Sequence, residues 1–202
     1  MELTDAVRRR RMVRSFSTRP VDPDALARVL DLGRRAPSAG FAQGLDLLVL
    51  DTPAAVATYW DCTFVDAAAR ARFRWQGLFR APVLVLPLSS APAYVGRYAE
   101  ADKAATGLGA DTAAWPVPYW DVDAGMAAML LLLGAVDEGL GALFFGIFRG
   151  ADALVEAFGI PSSHRPIGTI ALGHPDAGAA EAGRSAGRAR RPFSEVVHRN
   201  GW

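Results

Sequence analysis

Residues 126–136 read MAAMLLLLGAV, which is the most apolar stretch of the chain. Gly134 interrupts this run, and Asp137 and Glu138 close it. The run is too short to span a bilayer, because a membrane helix needs about 20 consecutive apolar residues. We therefore predict a buried helix from about Val122 to Glu138.

The composition is that of one folded domain covering residues 1–202, with 51% hydrophobic and 21% charged residues. The net charge is only +1, from 22 basic and 21 acidic side chains. A nucleic-acid binder would carry a much larger basic excess, so we expect no nucleic-acid partner. The acidic start of the chain lacks an apolar signal core, and we therefore expect a cytoplasmic protein without a membrane partner.

The few cysteine and histidine residues argue against metal or thiol chemistry. Cys62 is the single cysteine, which excludes an intrachain disulfide and fits a reducing compartment. His164, His174 and His198 are scattered without the spacing of a helical metal pair. We predict no metal site and no catalytic side chain.

Helix and strand signals alternate along the chain. Helices are predicted over about 3–11, 23–36, 53–59, 65–80, 91–105, 122–138 and 151–158, and strands over 45–50, 82–88, 143–148 and 167–172. Such alternation ordinarily accompanies a parallel sheet, but pattern alone leaves strand order and direction open. After Gly173 a long Ala, Gly and Arg-rich arm leads to the apolar patch 192–197, which needs another surface to pack on.

Two clusters of arginine lie near opposite ends of this otherwise charge-balanced chain. The first is Arg8–Arg11 with Arg14, and the second comprises Arg188, Arg190 and Arg191. Clustered guanidinium groups repel one another and bind phosphate through charge-assisted hydrogen bonds. The pattern favours a bound phosphate, and the alternative is a basic surface helix with a basic tail.

The common nucleotide and nucleophile motifs are missing from the sequence. There is no Gly-x4-Gly-Lys phosphate loop, and Gly139-Leu140-Gly141 lacks the third glycine of the dinucleotide fingerprint. Asp137 and Glu138 are adjacent on a helix, so they point in different directions and make a poor acid–base pair. A bound cofactor that carries the chemistry would suit such a chain.

Five short blocks of the chain, in order, resemble the FMN-dependent nitroreductase family. They are RRMVRSF at 10–16, APSAGFAQ at 36–43, GLG at 139–141, Ile160-Pro161 leading to ALGHP at 171–175, and RARRP at 188–192. Each block is weak by itself, but together they span nearly the whole chain with the family's spacing.

The resemblance implies an α+β sandwich in which helices flank a central, mainly antiparallel sheet. It also implies an intertwined homodimer with FMN at the interface, in which the C-terminal arm, about 176–202, packs on the partner subunit. The helix from Val122 to Val136 is then a candidate interface core, with Met126, Met129, Leu130 and Leu133. The alternative is an ordinary core helix within one subunit.

The resemblance also assigns FMN contacts to particular positions. The implied cofactor-binding residues are Arg10, Arg11, Met12, Arg14, Pro37, Ser38, Ala39, Gly40, Gln43, Leu140, Gly141, Arg188, Arg190 and Arg191. The arginines from both ends would hold the phosphate, and Gly40 would let the backbone approach the flavin. The backbone N–H groups of Leu140 and Gly141 would face the N5 and O4 edge of the ring.

Three positions depart from the family pattern. Met12 stands where serine is usual, Phe41 replaces a common asparagine, and Gly44-Leu45 replaces Pro-Trp. Polar contacts near the ring are therefore fewer. Phe41 also occurs in relatives that consume FMN to make dimethylbenzimidazole, so that outcome stays open.

The implied activity is an NAD(P)H-dependent FMN oxidoreductase. NAD(P)H would pass a hydride to flavin N5 and leave, and a nitroaromatic or quinone-like acceptor would then bind and take the electrons in a ping-pong cycle. Phe41, Trp115, Tyr119 and Trp120 would shape the substrate site, with aromatic residues of 64–79 above the flavin. The alternatives are a flavin dehydrogenase or desaturase of a metabolite and a flavin-binding protein without turnover.

Overall fold

In a computed structural model, which describes residues 1–176, 178, 183 and 187–202, helices cover both faces of one sheet. The helices are α1 (Leu3–Arg9), α2 (Pro23–Arg34), α3 (Pro53–Thr63), α4 (Ala67–Ala71), α5 (Ala91–Ala99), α6 (Tyr119–Asp137) and α7 (Ala151–Ala157). The strands are β1 (Leu45–Leu50), β2 (Val83–Ser89), β3 (Gly141–Phe145), β4 (Arg165–Pro166) and β5 (Thr169–Gly173).

The sheet is antiparallel at every described pairing, with strand order β1-β2-β5-β3 and the short β4 beside β2. This confirms the α+β fold. Alternating helices and strands therefore do not produce a parallel sheet here. β2 and β3 run in the same direction, but β5 lies between them and runs antiparallel to both.

Local sequence accounts for the starts of α2 and α3. Asp22 and Thr52 each cap a helix, because their side-chain oxygens accept the N–H of Ala25 at 2.9 Å and of Ala55 at 3.2 Å. A proline occupies the first helical position after each cap, as in the predicted second helix.

Several predicted boundaries differ from the structure, among them the helix predicted over 91–105, which ends at Ala99, and the strand predicted over 143–148, which ends at Phe145. The predicted helix 65–80 is divided into α4 and a 3-10 turn at Gln76–Arg80, because the Gln76 amide binds the carbonyls that end α4. β3 begins at Gly141 rather than Leu143, since its pairing with β5 starts there. α1 ends at Arg9, and Arg10 takes an extended-like conformation that leads the chain to the sheet.

The core lies on both faces of the sheet, and β2 belongs to each half. Leu84 and Leu86 face the side covered by α3 and α7, whereas Val83 and Val85 face α2 and α6. Every residue of β2 is buried. Alternate side chains of one strand therefore join two hydrophobic layers.

α6 has a buried inner face and a partly exposed apolar outer face. Leu131 and Ala135 are fully buried, while Met126 and Met129 are 39% and 38% exposed. The helix is long and apolar enough to cross a membrane by length and composition. That is weak evidence for a span, because α6 packs on α2 and the sheet as a core helix does.

The packing of α6 predicts the cost of truncating its inner face. Leu131→Ala should lower the free energy of unfolding by about 2–5 kcal/mol, because it leaves a cavity between α2 and α6. Leu3→Ala, at an exposed position, should cost under about 0.5 kcal/mol. Urea denaturation of both variants measures the difference, and equal losses would contradict the assigned faces.

Candidate functional site

The first arginine cluster is fastened to the start of β3. Met12 forms a parallel bridge with Ala142, and the Val13 N–H donates to the Ala142 carbonyl at 2.9 Å. A Cβ at Gly141 would lie 2.9 Å from the Val13 side chain, so only glycine permits this approach. The structure thus brings residues 10–14 together with Leu140 and Gly141.

One guanidinium nitrogen of Arg10 lacks a hydrogen-bond partner in the described chain. This nitrogen, Nη1, is buried. Burying an unpaired charge is costly, so this group is suited to hold an anion. Arg11 is exposed and donates to the Arg8 carbonyl at 2.6 Å, while Arg14 donates to the Met12 carbonyl at 2.9 Å.

The second arginine cluster is only partly connected to the first. A Cβ at Gly183 would lie 2.8 Å from Arg14 Nη1, so Gly183 of the C-terminal arm lies against Arg14. Arg188 and Arg190 are exposed and have no ion pair with any described residue, whereas Arg191 pairs with Glu195 at 3.6 Å. Convergence of both clusters on one phosphate stays a prediction.

Two cavities meet at Arg14. The larger measures 490 Å³ and is mostly apolar; its aromatic walls include Trp60, Phe64, Phe73, Trp75, Phe145 and Phe148. The smaller measures 320 Å³ and is lined by Arg14, Ser15, Arg74, Trp75, Gln76, Gly77 and Arg80. Arg14 thus lies between an apolar cavity and a basic one. A cation in this position suits a ligand that has both a ring and an anionic group.

Some of these wall residues were not anticipated from sequence. Phe64, Phe73 and Trp75 belong to the aromatic segment already expected near the flavin, but Trp60 and residues 146–149 do not. Gly146 and Phe148 follow β3 directly, and a Cβ at Gly146 would lie 2.8 Å from the Phe148 ring. A glycine close to an aromatic residue at the end of a strand was the sequence feature that could have indicated these wall residues.

One predicted flavin contact involves an N–H that is bonded within the protein. The N–H of Leu140 donates to the Ala135 carbonyl at 2.7 Å, in the turn that ends α6. An N–H already used inside the protein cannot also serve a flavin without breaking that bond. The structure therefore uses the Leu140 N–H within the protein, and its contact with a flavin stays a prediction.

The 38–43 loop has an unusual backbone. Gly40, Phe41 and Gln43 have φ of 61°, 56° and 52°, in the left-handed region that is strained for side chains other than glycine. A Cβ at Gly40 would lie 2.7 Å from the Tyr98 ring, which explains glycine there. Strain of this kind clusters at functional sites.

Three polar contacts hold this loop. The N–H of Ala39 donates to the Asp123 carboxylate at 2.8 Å, Arg97 donates to the Gly40 carbonyl at 2.9 Å, and the Gln43 N–H donates to Ser38 Oγ at 3.0 Å. Pro37, just before the loop, is exposed. Asp123 was not predicted from the sequence as a site residue, although an acidic residue within an apolar helix could have indicated it.

Tyr94 completes the surroundings of Asp123. Its hydroxyl donates to the same carboxylate oxygen at 2.7 Å. Burial, together with the hydrogen bond to this carboxylate, raises the pKa of Tyr94 far above its ordinary value. The phenol therefore stays protonated and remains a hydrogen-bond donor.

The aromatic residues predicted for substrate binding lie beside this loop. Trp115 is buried, donates from Nε1 to the Leu108 carbonyl at 2.9 Å, and packs on Tyr98 with ring centroids 4.7 Å apart. Tyr119 is exposed and Trp120 is half-buried. Trp115 thus anchors its own loop, and the exposed Tyr119 is the better placed to reach a ligand.

Nucleophile and metal chemistry find little support in the described residues. Burial, followed by the charge of Asp61, raises the pKa of the Cys62 thiol, which disfavours the reactive thiolate. His164 lies between Ser163 and Asp46, at 2.8 Å and 2.7 Å. Within residues 1–176, 178, 183 and 187–202, no three His, Cys, Asp or Glu side chains form a metal cluster.

The two halves of the predicted site lie at opposite corners of the sheet. The 38–43 loop enters β1 at Leu45, which pairs with Ser89 at the end of β2. Gly141 pairs with Gly173 on the other edge, level with the start of β2. Strand spacing and rise place these corners about 14 Å apart across the sheet and about 20 Å along it.

The sequence and fold have close counterparts. A model of the nitroreductase family matches residues 7–174. A nitroreductase family protein of Clostridium difficile 630 is 20% identical, with full coverage of both chains and a TM-score of 0.72. A Desulfovibrio desulfuricans nitroreductase solved in complex with FMN is 24% identical, covering 100% of this chain and 98% of its own, with a TM-score of 0.67.

A nitroreductase from Exiguobacterium sibiricum, also solved in complex with FMN, is 19% identical. The match covers 98% of this chain and 97% of that one, with a TM-score of 0.70. The fold agrees over whole chains, and the family model covers most of the sequence. The chain belongs to the nitroreductase family.

Proposed function

We propose that this protein is an FMN-dependent oxidoreductase that passes electrons from NAD(P)H to nitroaromatic or quinone-like acceptors. The observation that carries the proposal is the buried, unpartnered guanidinium nitrogen of Arg10, in the same segment as Arg14, which borders a 490 Å³ aromatic cavity. FMN has an anionic phosphate and a flat apolar ring, so it matches both features. Relatives of the same fold that were solved with FMN support this choice.

The residues present fit such a cofactor. Arg10 and Arg14, with Arg188 and Arg190 from the arm, would hold the phosphate and ribityl end through charge-assisted hydrogen bonds. Bound FMN would supply the two-electron chemistry, taking a hydride from NAD(P)H and delivering electrons to the acceptor. No protein nucleophile is then required.

The protein's own groups would orient the reactants and control charge. Nearby guanidinium groups stabilise negative charge that arrives with the electrons. Because Ser38 Oγ accepts the Gln43 N–H, the hydroxyl proton of Ser38 remains available for donation to a ligand. Aromatic walls exclude water and favour flat acceptors.

A second copy would complete the site. The arginine cluster and the 38–43 loop lie at opposite corners of one sheet, so a partner must supply one of them to a shared ligand. The outer face of α6 offers an apolar surface for that partner, with Met126 and Met129 exposed and Leu130 and Leu133 half-buried. The C-terminal arm would then cross to the partner subunit of a cytoplasmic homodimer.

Anaerobic reduction tests the activity. The purified protein should bind FMN, and NADPH or NADH added without oxygen should bleach the flavin absorbance near the visible maximum. A nitroaromatic acceptor should then restore the colour. A bound flavin that does not respond would favour a metabolite dehydrogenase or a storage role, and failure to bind FMN would exclude all three.

Removing an arginine tests phosphate binding. Arg10→Ala or Arg190→Ala should weaken FMN affinity about tenfold or more, because a charge-assisted hydrogen bond contributes about 1.5–3 kcal/mol. Riboflavin, which lacks the phosphate, should bind as before. Arg19→Ala, at another exposed arginine, serves as control. Equal losses for both ligands would show that these side chains do not contact the phosphate.

A charge on the outer face of α6 tests the dimer. Met129→Lys should shift the protein toward monomers in analytical ultracentrifugation and reduce FMN binding with it, because a charge buried in an interface is costly. Ala157→Lys, on the exposed side of α7, should change neither. A fully dimeric Met129→Lys protein would place the interface elsewhere.

A further inference from the structure

The 38–43 loop presents an aromatic side chain on a backbone that is costly to maintain. Phe41 is 72% exposed, so burial offsets little of its cost. Its left-handed conformation, like that of Gln43, is strained for a residue other than glycine. A loop of this kind persists only when contacts from the surrounding structure impose it.

Asp123 makes the most buried of those contacts. It is 5% exposed, and its Oδ2 accepts both the Ala39 N–H at 2.8 Å and the Tyr94 hydroxyl at 2.7 Å. Tyr94 is itself only 1% exposed. One carboxylate oxygen therefore connects α6, α5 and the loop. Its contact in the loop, Ala39, lies two residues before Phe41.

The carboxylate also lacks a basic partner. No ion pair joins Asp123 to a lysine or arginine in the described chain, so the backbone amide and the phenol provide its stabilisation. Burying a charge in this way is expensive unless the bonds it makes are needed. Arg97, by comparison, reaches the Gly40 carbonyl from a partly exposed position and also pairs with Asp102 at 2.7 Å.

We propose that Asp123 is a positioning residue that, through Ala39, holds Phe41 as a wall of the acceptor site and so selects flat aromatic acceptors. This inference rests on the proposed function. Aromatic faces favour stacked or edge-on contact with flat rings, and a fixed ring discriminates better than a mobile one. Asp123 contacts neither substrate nor cofactor, and it acts on them through Phe41.

Two substitutions separate the carboxylate's hydrogen bonds from its charge. Asp123→Asn keeps an oxygen that can accept from both Ala39 and Tyr94, whereas Asp123→Leu has a branched but larger side chain that accepts nothing. In FMN-loaded protein, Asp123→Leu should raise KM for nitrobenzene about tenfold, as expected for loss of a charge-assisted bond. Asp123→Asn should stay within about threefold of the parent protein.

A double variant tests the route through Phe41. Phe41→Ala should raise the same KM by a similar factor, and Phe41→Ala with Asp123→Leu should raise it no further, because both remove one positioned wall. Asp137→Asn, a carboxylate at the other end of α6 that binds the N-terminus, should leave KM unchanged. Additive effects of the two substitutions would overturn the proposal.

Proteolysis gives a readout that needs no turnover. Chymotrypsin cleaves after aromatic residues, and cleavage after Phe41 should be about tenfold faster in Asp123→Leu because the loop is released. Should Asp123→Leu not fold, Tyr94→Phe removes one of the two bonds and should accelerate cleavage to a smaller extent. Unchanged cleavage in the folded variants would overturn the proposal, even if the parent protein reduces no acceptor and the proposed function itself fails.

Discussion

The structure depends on the burial of β2 from both sides. Its leucines pack into the layer of α3 and α7, and its valines pack into the layer of α2 and α6. A strand enclosed in this way cannot slip by one residue, because every side chain would change layers. The register of β2 with β1 and β5 thus sets where each corner of the sheet lies.

That register has a functional consequence. The loop before β1 and the start of β3 are held at opposite corners, so neither can move toward the other without disturbing the core. The arginine segment is tied to β3 by the pairing of Met12 with Ala142. This rigid placement at two corners is the reason that we propose a second copy to bring the loop and the arginine segment together.

The 38–43 loop shows how much of the site depends on distant residues. Its strained backbone is stabilised by Asp123 from α6 and Arg97 from α5, far from the loop in sequence. The unsatisfied nitrogen of Arg10 and the exposed Phe41 lie outside the hydrophobic core. We propose that both face a ligand rather than contribute to stability.

Sequence alone was sufficient for β1, for the capped start of α2 and for the family, since these depend on local pattern: a compact apolar run, a proline after an aspartate, and short motifs with fixed spacing. It also pointed to the arginines, to Phe41 and to the aromatic segment after Phe64. Tertiary structure alone decided the antiparallel strand order, the use of the Leu140 N–H within α6, and the roles of Asp123 and Tyr94. Those features depend on contacts between residues far apart in the chain, and local pattern does not determine which distant groups meet.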